Sequence, residues 1–198
     1  MTAQKFLKGF TLVELLIVIS LLGAIATMVI ATINPIEQAN RTRDTRFKTD
    51  GGQLISAIDR YFAAVSEFPW VTAAVTTSNE TEFGFASAAT VGVGICGADC
   101  TTNGYLISTD ELKPEFRNRD FIKTTVAEKK IYIGKDTGAS ESVYACFIPL
   151  AKSTRQKSVT DGNVYTISFT DGSRASTSTC DAADANWVLS GCYICIPE

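Results

Sequence analysis

The sequence predicts an α+β fold, in which a long N-terminal helix packs against an antiparallel β-sheet. Three observations lead to this prediction. An apolar run fills residues 10–33, apolar residues continue at helical spacing to about residue 67, and the last third of the chain alternates apolar and polar residues between turn signals. Once the apolar run is set aside, the 198-residue chain holds about one globular domain.

The apolar run is long enough to form a membrane-spanning helix. It extends from Phe10 to Ile33 and carries a single charge, Glu14. At 1.5 Å per residue, such a helix reaches roughly 36 Å, and the hydrocarbon core of a bilayer is about 30 Å thick. A carboxylate inside a membrane costs on the order of 2.5–3.5 kcal/mol at the centre and less near the interface. Glu14 is therefore predicted to be a functional residue that requires a partner.

A short basic leader precedes the apolar run. Residues 1–9 contain Lys5 and Lys8 and no acid. A secretory signal peptide has its small cleavage-site residues after the apolar stretch, which is removed with it. Here the small residue, Gly9, lies before the stretch. The two lysines predict that the N-terminus is cytoplasmic and that everything after Ile33 faces outward.

The sequence KGFTLVELLIVI at residues 8–19 resembles the prepilin signal of type IV pilins and their pseudopilin relatives. The resemblance implies that a membrane aspartyl peptidase, the prepilin peptidase, cuts between Gly9 and Phe10 and that the new amine of Phe10 is methylated. It also implies that Glu14, the fifth residue of the mature chain, is the acid used in assembly. The alternative is a plain single-pass anchor with an accidental acid.

A second, amphipathic helix is predicted over residues 34–67. Asn34 and Pro35 predict a break between the two helices, and Gly23 is a weaker point inside the first. The family's usual proline site corresponds to Ala31. One face of the second helix carries the apolar residues Phe47, Gly51, Leu54, Ile58, Tyr61, Phe62 and Val65, and the other carries Asp44, Lys48, Asp59 and Arg60.

Residues 68–198 are predicted to form the globular head of the pilin fold that the resemblance implies. Phe68-Pro69-Trp70 ends the helix, and residues 71–107 lack periodicity, which predicts a long loop. Ser108 and Glu111 fit a capping box that opens a short helix to about Phe116. A β-meander is expected over about 129–196, with strands at 130–133, 143–148, 164–170, 187–189 and 193–196.

The cysteines predict disulfides in an oxidising compartment. All six follow the apolar run, and six cysteines allow 15 complete pairings. Cys146 lies in a predicted strand beside which the final strand can lie, and Cys180 precedes Cys192 by a loop of small and polar residues. The predicted pairs are therefore Cys96–Cys100, Cys146–Cys195 and Cys180–Cys192. A zinc site formed by Cys96, Cys100, Cys192 and Cys195 is the alternative.

The composition argues against catalysis and gives no sign of a cofactor. The chain has no histidine, which removes histidine-dependent nucleophile systems and imidazole metal ligands. The literal GxGxxG at residues 92–97 has neither a convincing strand before it nor a helix after it. The acids Asp99, Asp161, Asp171, Asp181 and Asp184 are candidates for a calcium site or for ordinary turns. A net charge of -3 gives no general case for nucleic acid as a partner.

Two functions remain open at the level of sequence. The resemblance implies a structural subunit of a type IV pilus or pseudopilus, stored in the inner membrane and assembled into an extracytoplasmic filament for adhesion, motility, DNA uptake or secretion. Its expected partners are other pilin subunits, a prepilin peptidase and methyltransferase, an assembly platform, and membrane lipid before assembly. The alternative is a membrane-tethered protein whose head binds a ligand and never polymerises.

Overall fold

The structure, a computed structural model, describes residues 9–32, 34–184 and 186–198. The chain divides into two compact units, one ending at Gln38 and the other formed by Ala39–Glu198, which we call the globular unit. The first unit contains helix α1, Leu12–Thr32, and the second helix, α2, Pro35–Val65, begins in it. The expected weak point at Gly23 lies within α1, which is helical on both sides of it.

Asn34 and Pro35 form the start of α2. Pro35 occupies the first helical position, where its missing N–H costs nothing, and the Asn34 side chain accepts a hydrogen bond from the backbone N–H of Glu37 at 3.2 Å. The two residues predicted to interrupt the helix therefore define where α2 begins.

The core of the globular unit lies between α2 and a four-stranded antiparallel sheet. Its strands are β1 (Phe83–Ser87), β2 (Ile131–Lys135), β3 (Val143–Phe147) and β6 (Ile194–Ile196), in the spatial order β1-β2-β3-β6. The ring of Phe47 on α2 meets that of Phe147 on β3 edge to face at 5.6 Å. Gly51 lets the helix approach the sheet, because a Cβ there would lie 3.2 Å from Ala145 Cβ. The predicted α+β architecture is confirmed.

Short elements fill the connections. Four-residue helices α3 (Pro69–Thr72), α4 (Tyr105–Ser108) and α5 (Asp120–Lys123) and three 3-10 turns precede β2, and helix α6 (Lys152–Asp161) follows β3. A separate two-stranded sheet pairs β4 (Tyr165–Ile167) with β5 (Arg174–Ser176). This pairing replaces the predicted continuous meander, since β4 joins β5 rather than β3, and residues 187–189 form a turn.

Two other predictions about the globular unit are wrong. The predicted loop over residues 71–107 contains β1, whose Phe83 and Phe85 side chains are buried while the residues between and after them are half-buried. Ser108 ends α4 rather than capping a helix, and Asp110 adopts a φ of 63°, which is incompatible with a helix running from Ser108 to Phe116. Only a 3-10 turn, Pro114–Asn118, forms there.

The predicted apolar face of α2 is buried at most of its positions. Phe47, Leu54, Ile58 and Tyr61 are buried, whereas Val65 at the helix end is exposed. Asp44, predicted to face water, is buried as well. Its carboxylate accepts hydrogen bonds from the backbone N–H groups of Leu150 and Ala151 at 3.1 and 2.9 Å, so it ties α2 to the chain entering α6.

Three disulfides close the globular unit: Cys96–Cys100, Cys146–Cys195 and Cys180–Cys192. These are the pairs expected from the sequence. Cys146 and Cys195 lie directly opposite each other on the neighbouring strands β3 and β6, so their bridge fastens the last strand to the sheet. No cysteine is left as a free thiol for a zinc site.

The disulfide across β3 and β6 should stabilise the globular unit most. In the loop-entropy model its separation of 49 residues is worth about 4 kcal/mol, against about 2 kcal/mol for the separation of four. We expect Cys146→Ser/Cys195→Ser to lower the thermal unfolding temperature more than the matched Cys96→Ser/Cys100→Ser. Calorimetry of both variants measures this, and equal losses would contradict the ranking.

Asp50 has a buried carboxylate whose negative charge is only partly balanced by neighbouring cations. Its side chain is 3% exposed, Oδ2 has no hydrogen-bond partner among the described residues, and Arg46 and Arg119 each approach at 3.7 Å. Burial raises the pKa of Asp50, and the positive charges of Arg119 and Arg46 oppose that rise only in part. The folded state therefore holds the Asp50 proton to a higher pH than the unfolded chain does.

Asp50→Asn should remove this pH dependence. Because the pKa is raised in the folded state, Asp50 favours folding when it is protonated at low pH, and this contribution is lost as pH rises through the folded pKa. We expect the variant to be at least as stable as wild type at pH 7, with its advantage shrinking as pH falls toward the ordinary carboxyl range. Urea unfolding at several pH values tests this, and a pH-independent difference would refute it.

Candidate functional site: a carboxylate on an exposed apolar helix

Helix α1 carries an apolar surface that nothing in the described structure covers. Its segment Leu12–Ile30 has a mean hydropathy of 2.5, none of it is buried, and by length and composition it can cross a membrane. All its large apolar side chains are exposed, from Leu12 at 81% to Ile30 at 69%. An exposed apolar surface of this extent requires lipid or another protein around it.

The polar side chains within α1 are suited to an apolar environment. The hydroxyl of Ser20 donates to the carbonyl of Ile17, and that of Thr27 donates to the carbonyl of Ala24, both at 2.8 Å. Each hydroxyl is therefore satisfied within its own helix, as hydrocarbon surroundings demand. Glu14 is the one ionisable residue of the helix.

Glu14 belongs to a capping box at the start of α1. One of its oxygens, Oε2, accepts hydrogen bonds from the backbone N–H and the hydroxyl of Thr11, both at 2.8 Å, and the Thr11 hydroxyl accepts one from the Glu14 N–H at 3.2 Å. Thr11 was not among the functional residues predicted from the sequence, although the spacing Thr-x-x-Glu signals its role in this box. Only Oε2 is used in these bonds, so Oε1 is available for a partner outside the helix.

The predicted processing site lies just before this capping box. Gly9 and Phe10 are exposed and outside the helix, Phe10 is 80% exposed, and a Cβ built on Gly9 would meet no atom within 4 Å. A peptidase requires an accessible junction outside a helix. The predicted topology residues Lys5 and Lys8 lie outside the described residues.

The other sequence candidates lie in local turns of the globular unit. Asp99 and Asp171 each accept hydrogen bonds from the backbone N–H and the hydroxyl of the residue two positions on. Hydrogen bonding to the Ser168 hydroxyl, and next to Ser173, lowers the pKa of Asp171 to about 2. Asp161 pairs with Lys157, while Asp181 and Asp184 accept backbone N–H groups. In the part of the chain that is described, no three acidic or cysteine side chains are grouped as a metal site.

The GxGxxG segment is a structural turn. Gly92 lies in a 3-10 turn, Gly94 adopts a left-handed φ of 87°, and Cys96 is bonded to Cys100. A helix N-terminus that could cradle a phosphate does not follow this segment, since residues 96–104 form turns and an isolated bridge.

Comparison with known proteins identifies the N-terminal segment. Residues 7–30 match the family model of the prokaryotic N-terminal methylation motif. Comparison with curated proteins and with solved structures gave no match. The matched range contains the Gly9–Phe10 junction, Glu14 and most of α1. The chain therefore carries the type IV prepilin-like signal at its N-terminus.

Proposed function

We propose that this protein is a structural subunit of a type IV pilus or pseudopilus, polymerised through its N-terminal helix into an extracytoplasmic filament. The observation that carries the proposal is the methylation motif at residues 7–30, with Glu14 on a fully exposed apolar helix. The motif implies a prepilin peptidase and other pilin subunits as partners in general. The role is structural rather than catalytic.

Before assembly, the precursor is a single-pass inner-membrane protein with its N-terminus in the cytoplasm and the globular unit outside. The peptidase removes residues 1–9 and the amine of Phe10 is methylated, which retains its positive charge. An assembly platform then extracts subunits, and the exposed apolar faces of their α1 helices bundle together. Each α1 exchanges lipid for protein, so its apolar side chains remain out of water throughout.

Glu14 sets the register of this bundle. An unpaired carboxylate in a dry helical core is expensive, whereas one beside the methylated ammonium of a neighbouring Phe10 is compensated by a close charge pair. A subunit in the wrong register leaves both charges unpaired. The capping box occupies Oε2 and orients the side chain. In the proposed filament, Oε1 is the oxygen left to pair with the neighbour's amine.

The mature chain should begin at a methylated Phe10. Gly9 places no side chain at the junction, so replacing it with a branched residue should obstruct the peptidase. Intact-mass analysis of membrane-extracted protein should show a species lacking residues 1–9 and carrying an added methyl group. Gly9→Val should accumulate the full precursor, while the control Ala3→Val should be processed normally. A mature wild-type protein that retains Met1–Gly9 would refute the processing step.

Glu14→Gln should permit insertion and cleavage but block assembly. The amide preserves the shape of the side chain and can still cap α1, since Gln serves in capping boxes as Glu does. Only the charge that pairs with the neighbour's amine is removed. Electron microscopy of sheared surface filaments should show few or none, whereas the control Glu37→Gln at the start of α2 should assemble normally.

Two outcomes would count against this role of Glu14. Wild-type-like filaments from Glu14→Gln would show that the charge is dispensable. Ligand capture by cells that never form filaments would instead favour the membrane-tethered binding protein. Glu14→Leu separates assembly from insertion, because it should enter the membrane at least as well as wild type while still failing to assemble.

A further inference from the structure

The charges of the globular unit are segregated toward opposite ends of α2. We define the proximal pole as residues 39–50, 119–130, 148–161 and Glu198, and the distal pole as residues 66–84, 135–142 and 168–172. Arg46 and Ser66, one in each pole, are separated by about 30 Å at 1.5 Å per residue along α2. The two poles are thus at opposite ends of the globular unit.

Contacts hold the proximal pole together. Arg43 on α2 donates to the backbone carbonyls of Glu128 and Ile148, and Arg46 lies 3.6 Å from the carboxylate of Asp120. Lys48 pairs with Glu198 at 2.8 Å. The segments before β2 and after β3 therefore meet beside the first turns of α2.

Different contacts join the segments of the distal pole. The Asn79 side chain bonds the backbone of Ser66 and Phe68 just beyond α2, and Glu80 bonds the backbone N–H groups of Gly138 and Ala139 in the β2–β3 turn. Gly172 packs so closely that a Cβ there would lie 2.2 Å from the carbonyl oxygen of Lys135. The β2–β3 turn, the chain after α2 and the turn before β5 therefore share one end.

The two poles carry opposite net charge. The proximal pole holds eleven lysines and arginines against six carboxylates, and the distal pole holds six carboxylates against one lysine. The proximal cations are Arg41, Arg43, Arg46, Lys48, Arg119, Lys123, Lys129, Lys130, Lys152, Arg155 and Lys157. The distal acids are Glu67, Glu80, Glu82, Asp136, Glu141 and Asp171.

The single distal lysine does not offset the surface charge of its pole. Lys135 is fully buried, its ammonium donates to the carbonyls of Asn79, Asp136 and Gly138, and it lies 5.4 Å from the centre of the Phe68 ring. Burial lowers the pKa of Lys135. Solvent at the distal pole therefore meets carboxylates, among them the exposed Glu67 and Glu141.

The proximal pole is also grooved. One groove of about 360 Å³ is lined by three cations, three hydroxyls and one acid: Arg41, Lys48, Lys157, Thr45, Ser153, Thr154 and Asp44. The Asp44 carboxylate is already bonded to the backbone N–H groups of Leu150 and Ala151. A second groove, of about 500 Å³, is lined by Arg43, Arg46, Lys129 and one acid, Asp120, around an apolar floor. In both grooves the cations outnumber the acids, and such a surface is suited to the carboxylates of a partner.

We propose that the proximal pole of one copy docks on the distal pole of the next, so that successive globular units attract each other electrostatically within the filament. This inference rests on the proposed function and names the surfaces that meet. A head-to-tail contact between two different surfaces generates an open filament rather than a closed pair. An anionic membrane surface would complement the proximal pole only, whereas a second copy of this chain complements both poles.

Charge reversal at each pole, and at both together, tests the contact. The proximal variant is Lys123→Glu/Lys129→Glu and the distal variant is Glu67→Lys/Glu141→Lys, all at exposed positions. Each lowers the net charge of its pole from five units to one, since the proximal pole falls from +5 to +1 and the distal pole from -5 to -1. The weaker attraction should reduce the sheared filament fraction by about tenfold or more. The quadruple variant carries both changes and should form the fewest filaments. The matched controls between the poles, Lys113→Glu and Glu115→Lys, should assemble normally.

The outcomes separate this inference from the proposed function. Absence of wild-type filaments both from the cell surface and from the periplasm would overturn the proposed function, and the inference with it. Filaments from both single-pole variants at wild-type yield would overturn the inference alone. Loss of filaments from the proximal variant alone, with the distal variant at wild-type yield and the disulfides and protease resistance of both intact, would also overturn it. That result would favour an anionic membrane surface, which complements the proximal pole only.

Discussion

One carboxylate within an otherwise uncharged helix is the constraint on which this protein depends. Glu14 lies on α1, whose apolar side chains are all exposed and therefore require lipid or protein around them. The capping box with Thr11 satisfies one oxygen of Glu14 and leaves the other for a neighbour. In the proposed function, the amine that cleavage creates on a neighbour's Phe10 is this partner, and the pair links processing of the chain to its assembly.

A disulfide and two sets of buried polar contacts hold the elements of the globular unit together. The Cys146–Cys195 bridge joins strands that are already paired, so it holds the C-terminal strand to the sheet. The buried carboxylate of Asp44 binds the backbone entering α6, and the guanidinium of Arg43 binds the segments before β2 and after β3. These contacts fix α2 to the segments around the sheet. They hold the two charged poles at opposite ends of the globular unit.

The sequence predicted what depends on local pattern. The apolar spacing from Phe47 to Tyr61 located the buried face of α2, and alternation near Cys146 and Cys195 located two strands that are neighbours in the sheet. Prediction from the sequence failed where contacts between distant segments determine the secondary structure. Strand β1 lies in an Ala- and Thr-rich stretch and exists through its pairing with β2, and the polar helix α6 has no apolar periodicity. The charged poles were invisible because distant segments form each of them.

Immunogold electron microscopy of cells determines whether this protein polymerises outside the cytoplasm. An antibody raised against residues 39–198 should decorate thin filaments along their length, at the cell surface or in the periplasm of sectioned cells. Labelling confined to the membrane as isolated subunits, under conditions where the mature protein is abundant, would contradict the account.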